Sequence, residues 1–118
     1  MATIFVEADE KYKVSNDHAK ISIDAKKYNP QGGAYSFFLD EDYLGSNKEK
    51  RIGIGKNLED KTITISFTIK DKLEETNWTS IKVFIKEDDV IKKEYEYSKE
   101  AEKHLDTVQY LIKVKIEL

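Results

Sequence analysis

Residues 61–70 read KTITISFTIK, with Ile63, Ile65, Phe67 and Ile69 alternating without a break against Thr62, Thr64, Ser66 and Thr68. A period of two puts the four apolar side chains on one face of an extended strand and the hydroxyls on the other. Thr, Ile and Phe also suit a pleated, half-buried surface, so propensity and pattern agree. The stretch is expected to be a central strand with one face toward water.

Outward from it, the same period recurs. On the C-terminal side, Ile81, Val83 and Ile85 alternate with Lys82, Phe84 and Lys86, after Trp78. Residues 107–118 set Val108, Tyr110, Ile112, Val114, Ile116 and Leu118 against Gln109, Leu111, Lys113, Lys115 and Glu117. Between these two strands, matching facing residues in kind favours a three-residue hairpin loop at 87–89, which pairs Ile85 with Ile91, Ile81 with Tyr95 and Lys82 with Glu94. Residues 90–97 then return, with Tyr95 and Tyr97 on one face. Residues 98–105 are expected to form a helical turn capped by Ser98, and the charged connection 71–77 has room for another.

On the N-terminal side, residues 51–55 (RIGIG) alternate, and residues 40–50 are polar and turn-rich. Residues 35–40 carry aromatics on both faces, Tyr35 and Phe37 on one and Phe38 on the other. The clearest loop is 28–34, with the only proline and a Gly-Gly pair. Ala19, Ile21, Ile23 and Ala25 line one face of a strand at 18–25. Residues 3–8 form a first strand, expected at a sheet edge, before a charged turn at 9–11.

The expectation is therefore an all-β fold, an antiparallel two-sheet β-sandwich of the immunoglobulin-like kind, with seven to eight strands and at most one or two short helical turns. A small barrel is the alternative. The spacing Asp106, Val108, Tyr110, Ile112 resembles the tyrosine-corner stretch of immunoglobulin domains over about seven residues. That family's cysteine pair is missing, and Trp78 does not stand where its core Trp would.

A chain of 118 residues is the size of one domain, 1–118, and buries roughly two-thirds of its unfolded surface. Lys and Arg number 20 against 23 Asp and Glu, a net charge of −3, with both signs interleaved throughout. No basic face is evident, which disfavours nucleic-acid partners. With no cysteine there is neither a disulfide framework nor a thiolate site. The start MATIFVEADE lacks the basic n-region and apolar run of a signal peptide, and no apolar stretch reaches the ~18 residues of a membrane helix. No membrane association is expected, and the chain as written reads as cytoplasmic.

Candidate site residues fall at turns and strand ends. Asp40 and Asp42, with Asp88 and Asp89, would offer oxygen ligands for a weak calcium site if their loops met at one end; solvated turns are the simpler expectation. Tyr28, Tyr43 and Trp78 have rings with a polar handle, suited to carbohydrate or protein recognition. Gly53 and Gly55 before Lys56 lack the spacing of a phosphate loop and point instead to a bulge or close strand packing. His18 beside Asp17 and His104 near Asp106 make poor dyads, because neighbours on a strand face opposite ways. Asn77-Trp78-Thr79 matches a glycosylation acceptor, which has meaning only on a secretory route.

No nucleophile, base and orienting group form a set, and no cofactor motif is present. The expected function is non-enzymatic: a protein–protein interaction or structural module, such as an adaptor, an immunity-type protein or an assembly subunit, binding another protein or itself. Outward apolar residues, Phe84 and Leu111, motivate it. The alternative is loop-mediated binding of carbohydrate or calcium.

Overall fold

The computed structural model describes residues 3–27, 32–70, 78–101 and 106–118. These form nine strands: β1 (Thr3–Lys13), β2 (Lys20–Lys27), β3 (Gly32–Leu39), β4 (Asp42–Ser46), β5 (Lys50–Ile54), β6 (Thr62–Lys70), β7 (Trp78–Glu87), β8 (Val90–Glu100) and β9 (Thr107–Glu117). A short 3-10 turn at Gly55–Asn57 stands between β5 and β6. One sheet has the order β1-β9-β6-β3-β4 and the other β5-β2-β7-β8, packed face to face. Among the described residues no helix is long and apolar enough to cross a membrane.

The alternation of residues 61–70 holds. Ile63, Ile65, Phe67 and Ile69 are buried, and β6 sits third of five strands, flanked by β9 and β3. From the facing sheet Ile21, Ile23, Ala25, Ile81, Val83 and Ile85 meet them, and β9 adds Val108, Tyr110, Ile112, Val114 and Ile116. Period-two burial on both sheets is what makes a single interior.

Several expectations need correction. The strand count is nine, because residues 42–46, expected as turn, pair with β3 through a bulge at Phe37/Phe38 that leaves Leu44 half-buried. The sheets are not wholly antiparallel: β1 runs parallel to β9 over eleven positions, straight through the charged residues 9–11. Neighbour pairing on β9 outweighs the local turn propensity of Asp9-Glu10-Lys11: Asp9 and Lys11 project to the exposed face and Glu10 to the inner one. The expected helical turn at 98–105 begins inside β8, whose residues Ser98, Lys99 and Glu100 pair with Ser80, Thr79 and Trp78; residues 102–105 of that turn, and the helical turn at 71–77, lie outside the described residues. Likewise the 28–34 loop is strand from Gly32 onward.

The β7–β8 hairpin also differs from expectation. Its turn is two residues, Asp88 and Asp89, both at positive φ, as a type I′ turn demands. A bulge between Ile85 and Lys86 takes up one extra residue of β8, so that Val83 faces Tyr95 and Ile81 faces Tyr97. The bulge thus brings like residues together without the longer loop. Phe84, expected as an outward apolar residue, does lie on the outer face but is only 6% exposed there, with the Lys26 ammonium 6.0 Å from its ring centroid. Leu111 is half-buried.

Tyr110 is buried, but its hydroxyl lies 2.6 Å from Thr79 Oγ1 and donates to the Thr79 carbonyl at 3.3 Å, on the opposite sheet. A tyrosine corner would bond backbone a few residues upstream. Here the ring spans the sandwich instead.

Candidate functional site

Register fixes which loops share an end. Leu39 lies beside Ile63, Ile63 beside Val114, Tyr12 beside Ile116, Ile21 beside Glu87 and Lys20 beside Ile54. The connections 14–19, 40–41, 55–61 and 88–89 therefore gather at one end. The two acidic turns share this end, yet the Asp40 and Asp88 carboxylates each serve the backbone N–H of a neighbouring strand. Asp40 Oδ1 accepts from Thr62 N at 2.9 Å, and Asp88 Oδ1 from Lys20 N at 2.9 Å. Among the described residues no three His, Cys, Asp or Glu groups stand close enough to hold a metal ion.

Tyr43, the second residue of β4, lies near this end on the outer face of the five-stranded sheet, 61% exposed, its hydroxyl 2.5 Å from Ser46 Oγ. Trp78, 51% exposed, opens β7 at the opposite end, since β7 closes at Glu87. The two rings share no surface. Tyr28, His104 and Asn77 lie outside the described residues. His18 is exposed, with Nε2 3.6 Å from Asp17 Oδ1. Gly53 sits at a β2–β5 register shift and Gly55 where an added Cβ would come within 2.9 Å of Val14 Cγ1. Bulge and close packing, not an anion cradle, account for both.

By sequence Glu87 belongs with Asp88 and Asp89 to an acidic loop, and here the structure differs most. Its side chain is on the inward face that Ile81, Val83 and Ile85 share, and only 3% of it is exposed. Tyr12 donates its hydroxyl to Oε2, Ser15 N donates to Oε2 at 2.9 Å and Asn16 N to Oε1 at 3.0 Å. Burial alone would raise the carboxyl pKa, but the bonds from Ser15, Tyr12 and Asn16 outweigh it and hold it below its ordinary value. The signal is in the chain: parity carried on from Ile85 places residue 87 inside.

Two further tyrosines tie the sheets along one flank. Tyr97 donates to Glu10 Oε2, and Tyr95 donates to the Lys11 carbonyl at 3.2 Å. Burial, with Glu10 nearby, pushes the Tyr95 phenol up to about 12. These bonds set β8 against β1, so the two eleven-residue edge strands occupy the same side of the sandwich.

The opposite side is built differently. β4 and β5 are five residues each and both are interrupted by bulges, near Gly45 and Gly53. Short, kinked edges discourage strand addition. β1 has neither device: it keeps unbroken register with β9 from Thr3 to Lys13, and carries Phe5, 71% exposed. An open groove of about 260 Å³ crosses the same sheet over Asp9, Glu10 and Lys11 of β1, Lys113 and Lys115 of β9 and Thr62 of β6. Its lining mixes both signs and holds no fully buried polar group, so it is a shallow feature of the sheet rather than a pocket for chemistry.

Comparison with known proteins finds no matching family model, no similar curated protein and no matching solved structure.

Proposed function

We propose that this protein is a non-enzymatic protein–protein interaction module that binds through the free edge of β1. The observation that carries the proposal is the asymmetry of the edges: β4 and β5 are short and bulged, β8 is eleven residues long but shifts register against β7 at Ile85/Lys86, and β1 presents eleven residues in unbroken register with an exposed Phe5. A row of unpaired backbone donors and acceptors is a template for an added strand, in which main-chain bonds supply affinity and alternate side chains supply specificity. An immunoglobulin-like arrangement belongs to the same proposal; adjoining first and last strands and connections that cross between the sheets support it. A chain without cysteine needs no oxidising compartment, which supports a cytoplasmic setting.

Photo-crosslinking in the native cell tests the proposal. With p-benzoylphenylalanine at position 5, one adduct of discrete mass is expected, and Glu7→Pro should abolish it, since proline removes an edge donor without altering the side facing β9. With the crosslinker at position 51 on β5, no adduct should form. Absence of the adduct at position 5, or the same adduct at position 51, would overturn the proposal.

A further inference from the structure

We infer that the occupant of the β1 edge is a second copy of this chain, paired antiparallel about a two-fold axis at Glu10; this rests on the β1 edge being the interaction surface. The outward side chains of β1 run Glu7, Asp9, Lys11, Lys13, all exposed. Two acidic residues followed by two basic ones are self-complementary when the strand meets its own reverse. Centred on Glu10, Asp9 lies opposite the second copy's Lys11 and Glu7 opposite its Lys13. The two-fold repeats each pair, giving four opposite-charge contacts and no like-charge contact on that face.

Neighbouring registers lack this match. Centred on Asp9, that carboxylate faces itself; centred on Lys11, two ammonium groups meet; centred on Ala8, Glu7 faces Asp9 twice. Parallel pairing in register sets every charge against its like. Charges on an edge strand ordinarily deter pairing; here the registers centred on Asp9 or Lys11 keep two opposite-charge pairs against one like pair, whereas the register centred on Glu10 keeps four with no like pair on that face.

The backbone agrees with the register. Val14 N donates to the Glu117 carbonyl at 2.8 Å, so even-numbered residues of β1 direct their peptide groups at β9 and odd-numbered ones at the open edge. The Lys11 carbonyl, which accepts from the Tyr95 hydroxyl, fits that parity. Pairing about Glu10 sets odd opposite odd, so Glu7 and Lys13 exchange backbone bonds with their counterparts, and the second copy's Asp9 N–H takes the second lone pair of the Lys11 carbonyl, whose first is held by Tyr95. On the inner face small Ala8 lies opposite Tyr12, and Val6 opposite Val14. One unfavourable contact remains, Glu10 against Glu10 at the axis, with each carboxylate held by Tyr97 of its own chain. The two five-stranded sheets would join as one of ten strands.

Sedimentation equilibrium on the full chain tests this. A reversible dimer is expected. Asp9→Lys should weaken it by at least about tenfold, because two attractive pairs become repulsive. Adding Lys11→Asp to that variant should restore the wild-type constant, and Glu10→Gln should tighten it by relieving the axial repulsion. A wild-type chain that stays monomeric to hundreds of micromolar, or a dimer indifferent to Asp9→Lys or not regained in the double variant, overturns the inference. A monomer that still gives the position-5 adduct, at a mass other than twice the chain, overturns only the second copy as occupant; loss of that adduct removes the interaction surface as well.

Discussion

Replacing Glu87 by Gln keeps the shape of the side chain and removes its charge, which makes it the most informative single change in this molecule. Glu87 accepts three hydrogen bonds, one from a buried phenol and two from the 14–19 connection that carries the chain from one sheet to the other. A bond to a charged acceptor contributes about 1.5–3 kcal/mol. The amide can still accept at one oxygen, but its NH2 group must face a donor, so at least one bond is lost and a donor is left opposed. A loss of about 2–3 kcal/mol at pH 7 is expected, a large part of the ~6–18 kcal/mol available to a chain of this size. Tyr12→Phe should cost about 1.5–2 kcal/mol. In the double variant the costs should fail to add by at least about 1 kcal/mol, since both substitutions remove the same bond.

The pH dependence separates charge from shape. The folded state lowers the Glu87 pKa below its ordinary 4.5. The unfolded chain therefore takes up the proton first, and the stabilisation is complete above about pH 4.5 and is lost as pH falls through the folded value. The stability gap between wild type and Glu87→Gln, measured by urea unfolding at stepped pH, should thus narrow below pH 4.5. A gap that stays constant with pH, or a Glu87→Gln variant as stable as wild type at neutral pH, would refute the electrostatic account of this joint.

Removing residues 114–118 deletes the buried Val114 and Ile116, with the Ile116 bonds to Asp60 and Lys61, and should abolish cooperative thermal unfolding followed by circular dichroism. Gly55→Ala drives a methyl within 2.9 Å of Val14 Cγ1 and 3.3 Å of the Asn16 carbonyl, and should lower stability by about 1–3 kcal/mol in denaturant titration. Thr79→Val leaves the Lys99 carbonyl and the Tyr110 hydroxyl each short of a partner inside the sandwich, for a loss of about 1–3 kcal/mol by the same assay. Burial raises the Tyr95 phenol to about 12 from 10, so the unfolded chain ionises first as pH rises. Stability should fall from about pH 10 to 12, and phenolate absorbance should rise together with unfolding.

Which side chains face inward was legible from the chain alone, because inside and outside alternate with the backbone itself and need no knowledge of the neighbours. That is why Ile63 to Ile69 and Val108 to Ile116 are buried as their spacing implies. The same rule reaches Glu87, where a cluster of three acidic letters suggests a wet turn while parity points to the interior. Residues 42–46 were illegible for the opposite reason: a bulge breaks the period within five residues. The partners of these strands were beyond any local pattern. Glu87 meets Tyr12 across 75 positions, Tyr97 meets Glu10 across 87, and β1 lies alongside the last strand rather than the next. Contacts of that span arise only when two sheets close on one another, because a side chain's own sequence says which way it points and not what it will find there. The candidate surface follows the same division: its charges are written in residues 7–13, but that they line an open edge is a property of the assembled sandwich.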